Sequence, residues 1–340
     1  MKQRINWIDW AKSFCMFLVI LGHTHICTSQ AFVIDVIYSF HIPLFFFLSG
    51  LLCKDDISFL SIKKDFKYLL LPYLFYGMIG LIIPYPIHLT ELNLYLTKFL
   101  IGTDASIGAI WFLPAIFICK QIGKMILCLY KQQRPTYYIL FFLSFFLVII
   151  AHKYTLPFFL GSALCGLPFF LLGHEFMRFY NKSLYYPLSV LVGIIVFMAI
   201  LTSVFAELHE PPVLAICSYG DNLCLYYVNA ISGIATVTYG GILLDKHSCQ
   251  FVTVTSYGSI VTLWAHGVIL SIFNYYIYNL IGIEVKTYTV WQALIYAVIT
   301  YICCYYIIII ADRYLPKPFG LRGTLHPTNN HQKKWTNLAL

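Results

Sequence analysis

Ionisable side chains interrupt the first two apolar segments of this chain, where they are costly to insert into a membrane. Residues 6–53 are rich in Phe, Ile, Leu and Val, yet they include Asp9, Lys12, His23 and His41. A charged side chain at the centre of a membrane helix costs roughly 2.5–3.5 kcal/mol on insertion scales, so such residues are usually functional. These four residues are therefore the first candidates for chemistry.

Lys12 and His23 have a spacing that places them on one face of a helix. They are eleven positions apart, which is three turns at about 3.6 residues per turn, or roughly 16 Å along the axis. This face carries a fixed cation near one end and a titratable base near the other. A neutral imidazole is what a general base for a hydroxyl nucleophile requires. The alternative is an interfacial histidine bonded to a backbone carbonyl.

His41 lies two residues before Pro43 in the second apolar segment. Pro43 removes a helix donor and frees a backbone carbonyl, and irregular backbone at membrane depth must be covered by protein or line a cavity. His41 therefore either serves a site with His23 or satisfies the proline kink. The small residues Ser49 and Gly50 follow, and they favour close packing of two helices.

Asp9 and Lys12 are three residues apart, so they can pair on the helix surface. In the alternative interpretation, Lys12 faces a phosphorylated donor from the cytoplasm, as do Lys63, Lys64 and Lys67 in the following loop. No glycine-rich phosphate loop is present. Such a donor would therefore be held by point charges and aromatic rings.

Other chemistry-bearing residues give weaker signals. His174 does not begin a zinc-binding H-E-x-x-H motif, because Arg178 stands in place of the second histidine, and we expect no metal site. His266 is a lone intramembrane histidine that either lines a cavity or belongs to the core. The eleven cysteines show no C-x-x-C spacing, so we interpret them as small buried hydrophobic residues.

The composition indicates a polytopic membrane protein of the all-α class. The chain is 60% hydrophobic and only 11% charged, with a mean hydropathy of +0.78, whereas soluble domains carry about a quarter charged residues. The net charge of +8 follows membrane topology and forms no nucleic-acid-binding patch. Membrane lipid is thus an expected partner, and nucleic acid is not.

A membrane-spanning helix needs about 20 apolar residues, and ten segments qualify. They are 6–25, 31–53, 68–89, 108–130, 136–152, 157–178, 184–206, 221–244, 258–281 and 288–311. With a cytoplasmic N-terminus, only Lys98, Lys153 and Lys286 fall outside, so the positive-inside rule supports ten spans with both termini cytoplasmic. We expect one membrane domain over 1–311 and a basic cytoplasmic tail over 312–340.

The motifs together resemble acyltransferase family 3, the group of membrane sugar O-acetyltransferases that includes fucose O-acetylase-like proteins. Residues 5–23 resemble the opening helix of that family, with its basic residue, ten-residue gap and histidine, and residues 40–50 resemble its second-helix signature. The segments 110–113 and 168–173 and the region of His266 are similar to weaker family patterns.

This resemblance implies a ten-helix enzyme of the inner (plasma) membrane that needs no metal. It would move an acyl group, usually acetyl, from cytoplasmic acetyl-CoA to a sugar hydroxyl of a cell-envelope glycan or lipid-linked glycan. His23 becomes the expected catalytic base, assisted by His41, and Lys12 a contact on the donor side. Many members carry arginines in the first cytoplasmic loop, whereas this chain has Lys63, Lys64 and Lys67, which lack the bidentate phosphate geometry of arginine.

Two other readings stay open. Ten spans with intramembrane ionisable groups also describe a transporter in which Lys12, His23 and His41 relay protons or substrate. Transporters often contain inverted repeats and paired broken helices, and the sequence shows no such pairing. The run Trp264-Ala265-His266-Gly267 loosely resembles the other membrane O-acyltransferase superfamily, which would move the catalytic histidine to His266.

Overall fold

The structure is a computed structural model, and most of the residues that it describes are helical. It describes residues 5–24, 32–54, 57–80, 96–97, 99–102, 108–180, 187–207, 212–281 and 288–325. These residues contain no β-strand beyond one isolated bridge between Val213 and Ser218. The expectation of an all-α protein is therefore confirmed.

The α-helices of the described residues vary widely in length. They are α1 (Asn6–Gly22), α2 (Phe32–Leu51), α3 (Phe59–Asp65), α4 (Leu71–Gly80), α5 (Phe112–Gln132), α6 (Arg134–Ser144), α7 (Leu147–Lys153), α8 (Leu160–Phe179), α9 (Leu188–Glu207), α10 (Leu223–Leu243), α11 (Gln250–Tyr257), α12 (Ser259–Ile281) and α13 (Val290–Tyr314). A π-helical turn, Phe66–Leu70, joins α3 to α4.

Several of these helices are long and apolar enough to cross a membrane, as a multi-pass protein requires. Five qualify alone within the described residues, and up to seven qualify if each of two bent pairs is one span. The five are Phe32–Leu51, Gly108–Tyr130, Leu160–Phe179, Leu188–Ala206 and Val290–Tyr314. Ten spans and cytoplasmic termini stay predictions.

One expected span is bent in the structure, and a second bend lies where another span is expected to begin. The segment expected at 136–152 divides into α6 and α7, which meet at 40°, and α11 meets α12 at 87°. The second bend falls at Gly258, where the sequence predicts that a span begins. A Cβ at Gly258 would lie 2.4 Å from a side-chain carbon of Ile308, so glycine allows α13 to approach the bend.

The chain divides into two compact units, and the first comprises residues 1–41, 186–207 and 231–340. Within this unit, α1 packs against α11, α12 and α13. Buried hydroxyls connect these helices: Ser13 lies 2.8 Å from the Thr255 hydroxyl and 2.8 Å from that of Tyr301. Since these groups are buried, their mutual hydrogen bonds replace those that water would supply.

The N-terminus of α1 is capped by a residue that is distant in sequence. The preceding residue, Ile5, supplies no side-chain cap. Instead, the backbone N–H of Trp7 donates to a carboxylate oxygen of Asp245 at 2.9 Å, and the Asn6 amide donates to the Asp245 carbonyl at 3.0 Å. A carboxylate at this position satisfies an exposed helix donor and complements the helix dipole.

The start of the segment that the sequence assigns to a tail is packed against the same unit. Asp312 is buried, and its carboxylate accepts hydrogen bonds from the Tyr257 hydroxyl at 2.6 Å and the backbone N–H groups of Gly323 and Leu325 at 2.9 and 2.7 Å. Leu321 joins the adjoining hydrophobic cluster. These bonds fold residues 312–325 back onto α11 and α13.

The second unit comprises residues 42–185 and 208–230, and its core depends on close contacts at glycine. A Cβ at Gly50 would lie 1.8 Å from the carbonyl oxygen of Phe170, and a Cβ at Gly173 would lie 2.0 Å from that of Phe47. The end of α2 thus meets α8 backbone to backbone. This confirms at Gly50 the close packing that the sequence predicts for Ser49 and Gly50.

The expectation that the cysteines are buried is wrong for some of them. Cys15, Cys119, Cys165 and Cys304 are buried as expected, but Cys224 and Cys249 are exposed. Both exposed cysteines lie at the start of a helix, next to polar loop residues, and not inside an apolar run.

The glycine contact predicts that Gly173→Ala destabilises the protein. The added Cβ would collide with a backbone carbonyl, which cannot move aside as a flexible side chain can, so we expect a cost of about 1–3 kcal/mol, as for other overpacked cores. Gly193→Ala, in α9, is the matched control because a Cβ there meets nothing within 4 Å. Thermal unfolding in detergent measures both, and equal stability of the two variants would contradict the contact.

Candidate functional site

His23 lies directly at the C-terminus of α1, where it is the C-cap residue. Its ring nitrogen Nδ1 lies 2.7 Å from the carbonyl oxygen of Val19. A carbonyl oxygen can only accept, so Nδ1 carries the hydrogen and Nε2 carries the lone pair in the neutral ring. The side chain is half-buried. The structure therefore presents His23 in the tautomer that a base acting through Nε2 needs.

His266 of α12 packs directly against His23. The two ring centroids are 5.0 Å apart and the planes meet at 70°, an edge-to-face contact. His266 is only 1% exposed, and its Nδ1 donates to the Thr262 carbonyl at 2.9 Å. The residue that the sequence treats as a lone histidine thus belongs beside the expected base.

Tyr38 connects His23 to His41. Its ring centroid is 6.4 Å from that of His23 and 5.0 Å from that of His41. A Cβ at Gly22 would lie 3.1 Å from the Tyr38 ring, so the tyrosine packs closely over the end of α1. Sequence reasoning missed Tyr38, although its position three residues before His41 places both on one helix face.

His41 is buried, at 4% exposure, and its Nδ1 donates to the Ile37 carbonyl at 2.8 Å. This is not the carbonyl of Ser39, four residues before Pro43, that the proline leaves without its helical donor. The backbone oxygen of His41 accepts a hydrogen bond from the Cys15 thiol at 3.2 Å. His41 therefore does not fill the gap that the proline creates.

We refer to His23, Tyr38, His41 and His266 as the histidine cluster. In each of its histidines, the carbonyl four residues earlier in the same helix fixes Nδ1 as the donor. All three neutral rings thus keep Nε2 as the proton-accepting atom. The cluster can accept a proton and orient a hydroxyl, which are the two tasks of general-base catalysis.

The structure also shows where the predicted donor-side cations lie. Lys12 is half-buried on α1, three turns before His23 as the spacing predicts. Lys63 and Lys64 end α3, and Lys67 follows in the π-helical turn. These three lysines are exposed and belong to the second unit.

Another charged group lies beside the lysine-rich segment, and sequence reasoning missed it. Asp65 accepts hydrogen bonds from Lys120 at 2.6 Å, from Lys124, and from Gln121 at 3.2 Å. Lys124 also donates to the Ser61 hydroxyl at 2.7 Å. We refer to these five residues as the Asp65 cluster. The i, i+1, i+4 spacing of the α5 members is the signal that places them on one face.

Asp65 is ionised because of its partners. Burial raises the pKa of its carboxyl, but the charge of Lys120 and hydrogen bonds from Lys120, Lys124 and Gln121 outweigh burial and lower the pKa overall. A lowered pKa in the folded state stabilises the protein above the ordinary pKa of aspartate. That stabilisation is lost as the pH falls through the lowered value.

The Asp65 cluster predicts that Asp65→Asn is strongly destabilising. Lys124 is 3% exposed, and removal of one partner from a buried ion pair typically costs about 3–5 kcal/mol because the other charge is left uncompensated. Asp65→Asn combined with Lys124→Met should recover part of the loss. Lys63→Gln, at an exposed site, is the control. Thermal unfolding of Asp65→Asn at the wild-type temperature would contradict the prediction.

Comparison with known proteins agrees with the sequence motifs. The model of acyltransferase family 3, described as an acyltransferase domain, matches residues 5–309. This match covers nearly the whole chain and includes every member of the histidine cluster and of the Asp65 cluster. No curated protein and no solved structure matches the chain.

Proposed function

This chain belongs to acyltransferase family 3, and on that premise we propose that it is a membrane O-acyltransferase. It moves an acetyl group from cytoplasmic acetyl-CoA to a sugar hydroxyl of a cell-envelope glycan or lipid-linked glycan. The observation that carries the proposal is the contact between His23 and His266 at the end of α1. It supports a proton-accepting site at the histidine that the family motif singles out.

Exposure and tautomer both favour His23 as the base. His41 and His266 are buried, whereas His23 is half-buried and can meet a substrate. The lone pair on Nε2 accepts the proton. Because His23 caps the C-terminus of α1, the helix dipole stabilises the imidazolium that results, by about 0.3–1 kcal/mol in exposed settings and more when partly buried.

The reaction balances with His23 as both base and acid. Nε2 takes the proton of the acceptor hydroxyl as its oxygen attacks the carbonyl carbon of the thioester. The carbon–sulfur bond then breaks, and the thiolate of CoA leaves with the proton that the imidazolium returns. The acetyl group ends on the sugar oxygen as an ester, and free CoA is the second product. General-base help of this kind contributes typically 10²–10⁴-fold.

His266 acts in this proposal as a positioning residue. Its own ring is held by the bond to the Thr262 carbonyl, and its edge-to-face contact restricts the rotation of His23. Aromatic contacts of this type are worth about 0.5–1.5 kcal/mol beyond their burial. On the α2 side of the cluster, Tyr38 contacts His23, and His41 in turn contacts Tyr38.

The donor is proposed to approach along α1. Lys12 lies about 16 Å from His23 on the same helix face, so the pantetheine arm of CoA can extend between a cationic contact and the base. The exposed Lys63, Lys64 and Lys67 are separate candidates for the phosphates. The charge pattern of the loops predicts that His23 lies toward the outer leaflet, and an acceptor reached from that side is proposed accordingly.

The proposal predicts that His23→Ala abolishes most acetyl transfer. Release of free CoA from acetyl-CoA, measured with detergent-purified protein and a mixed glycan extract, should fall about 10²–10⁴-fold because the base is lost. His247→Ala is the matched control, since His247 is exposed and lies outside the histidine cluster. It should retain wild-type turnover.

The same assay separates the competing functions. Wild-type protein that folds well and releases no CoA with any acceptor would contradict the acyltransferase and favour a transporter. Release that survives in His23→Ala and disappears in a His266 variant would transfer the role of base to His266.

A second prediction concerns the positioning role of His266. His266→Gln keeps a polar side chain of similar size but removes the ring that restrains His23, so we expect turnover to fall about 10- to 100-fold, as for misplaced catalytic groups. The KM for acetyl-CoA should change little, because the donor contacts are elsewhere. An unchanged turnover, or a loss confined to KM, would contradict positioning.

A further inference from the structure

A cavity of about 180 Å³ lies in the second unit, apart from every residue assigned above. Its walls are the α7–α8 connection, the first turn of α8 and the loop before α10, with Cys217, His152 and Ser162 among its polar lining. The volume exceeds that of several water molecules, at about 30 Å³ each. A small organic molecule therefore fits against the Cys217 thiol.

The backbone at Cys217 is held in an unusual conformation. Its φ of 58° is left-handed, which is uncommon for residues other than glycine, asparagine and aspartate. The surrounding loop fixes it, since Val213 and Ser218 exchange backbone hydrogen bonds at 3.0 and 3.1 Å. His152 adds a hydrogen bond from Nδ1 to the Cys217 carbonyl at 3.2 Å. The loop thus holds one cysteine in a constrained position at the cavity wall.

The sulfur of Cys217 packs against the first turn of α8. A Cβ at Gly161 would lie 2.5 Å from this sulfur, so only glycine at that position leaves room for the thiol. The Ser162 hydroxyl is 3.9 Å from the same sulfur. Cys165 lies one turn after Gly161 on the same face of α8, and its thiol interacts with that of Cys217. Two thiols and a hydroxyl therefore meet at one point.

These hydrogen bonds favour the thiolate of Cys217. The donors Cys165 and Ser162 lower its pKa, against the opposing effect of burial. The thiolate is the nucleophilic form of cysteine. Cys165 is 1% exposed and can react only with what Cys217 brings to it. The arrangement is that of an accessible attacking thiol with a buried resolving thiol behind it.

We propose that Cys217 and Cys165 form a thiol–disulfide exchange site that takes small disulfides and ends as an intramolecular disulfide. The Cys217 thiolate attacks one sulfur of the small disulfide, and the other half leaves as a thiolate that takes up the proton Cys217 lost. Cys165 then attacks the Cys217 sulfur, and the second half leaves with the proton of Cys165. Two protein thiols are oxidised and one disulfide is reduced to two thiols.

The predicted topology is consistent with this chemistry. The charge pattern places the loop before α10 and the start of α8 on the outer side of the membrane, where disulfides form and persist. The resulting bond would tie residues 212–218 to α8. The exchange site makes no use of the histidine cluster, so its test is independent of acyltransferase activity.

The test compares cysteines within one full-length protein. Reduced protein in detergent is treated with dipyridyl disulfide, quenched with acid at intervals, and mapped by peptide mass spectrometry. Cys224 is the internal control because it lies seven residues away and is more exposed. Cys217 should be modified at least about threefold faster than Cys224, because thiolate content outweighs the accompanying loss of nucleophilicity.

The second stage distinguishes exchange from simple labelling. In wild-type protein the adduct on Cys217 should give way to linked Cys165 and Cys217 peptides, about 2 Da lighter than their sum because two hydrogens are lost. In Cys165→Ser the adduct should persist, and in Gly161→Ala its formation should slow. Faster modification of Cys224, or an adduct that persists in wild-type protein, would overturn the proposal.

Discussion

The structure depends on the need of buried polar groups for hydrogen-bond partners. Water does not reach the interior of an apolar helical protein, so the protein itself must supply these partners. This constraint explains why each buried histidine bonds to a carbonyl of its own helix. It also explains why Ser13 meets Thr255 and Tyr301 in the middle of the first unit. The bond at Nδ1 that satisfies His23 also leaves Nε2 as the nitrogen that can accept a proton in the neutral ring.

The second unit meets the same constraint with charges. The Asp65 carboxylate pairs with two lysine ammonium groups of α5 and offsets part of their charge, at the point where α3 passes into a π-helical turn. Such turns are rare and frequently occur at functional sites. At Gly50 and Gly173 the contact is not a polar cross-link. There the absence of a side chain allows the backbones of α2 and α8 to touch. Polar cross-links and bare backbone contacts thus hold the helices together where hydrophobic attraction between helices is weak.

Much of this architecture can be predicted from the sequence, and what cannot be predicted has a physical reason. Helix class, the Lys12–His23 face and the close packing near Gly50 follow from local spacing, which one helix determines alone. The contact between His23 and His266 does not follow from local spacing, because it depends on how two helices that are distant in sequence pack together. The exposure of Cys224 also does not follow from local spacing. Hydrophobicity averaged along a segment does not show at which residue the segment ends.

The number of membrane spans is also only partly predictable from the sequence. Hydropathy predicts ten segments, but α1 has 17 residues, which is at the lower limit of the roughly 17–25 that cross the hydrocarbon core. The segment expected at 136–152 is bent, and a second bend falls at Gly258, where Ile308 of α13 approaches. Composition shows how apolar a segment is. It does not show that α13 packs at Gly258, where the chain bends.

The cap on α1 has a consequence for the time course of synthesis. Asp245 lies 238 residues after Trp7, and His266 comes later still. At about 5–20 residues per second, the ribosome needs roughly 10–50 s to deliver the cap after α1 has been made. During that time the first helix lacks both its N-terminal cap and the contact that His266 makes with His23. Both contacts form only after Asp245 and His266 have been made, so a chain that stops before Asp245 contains α1 without its cap and His23 without its aromatic neighbour.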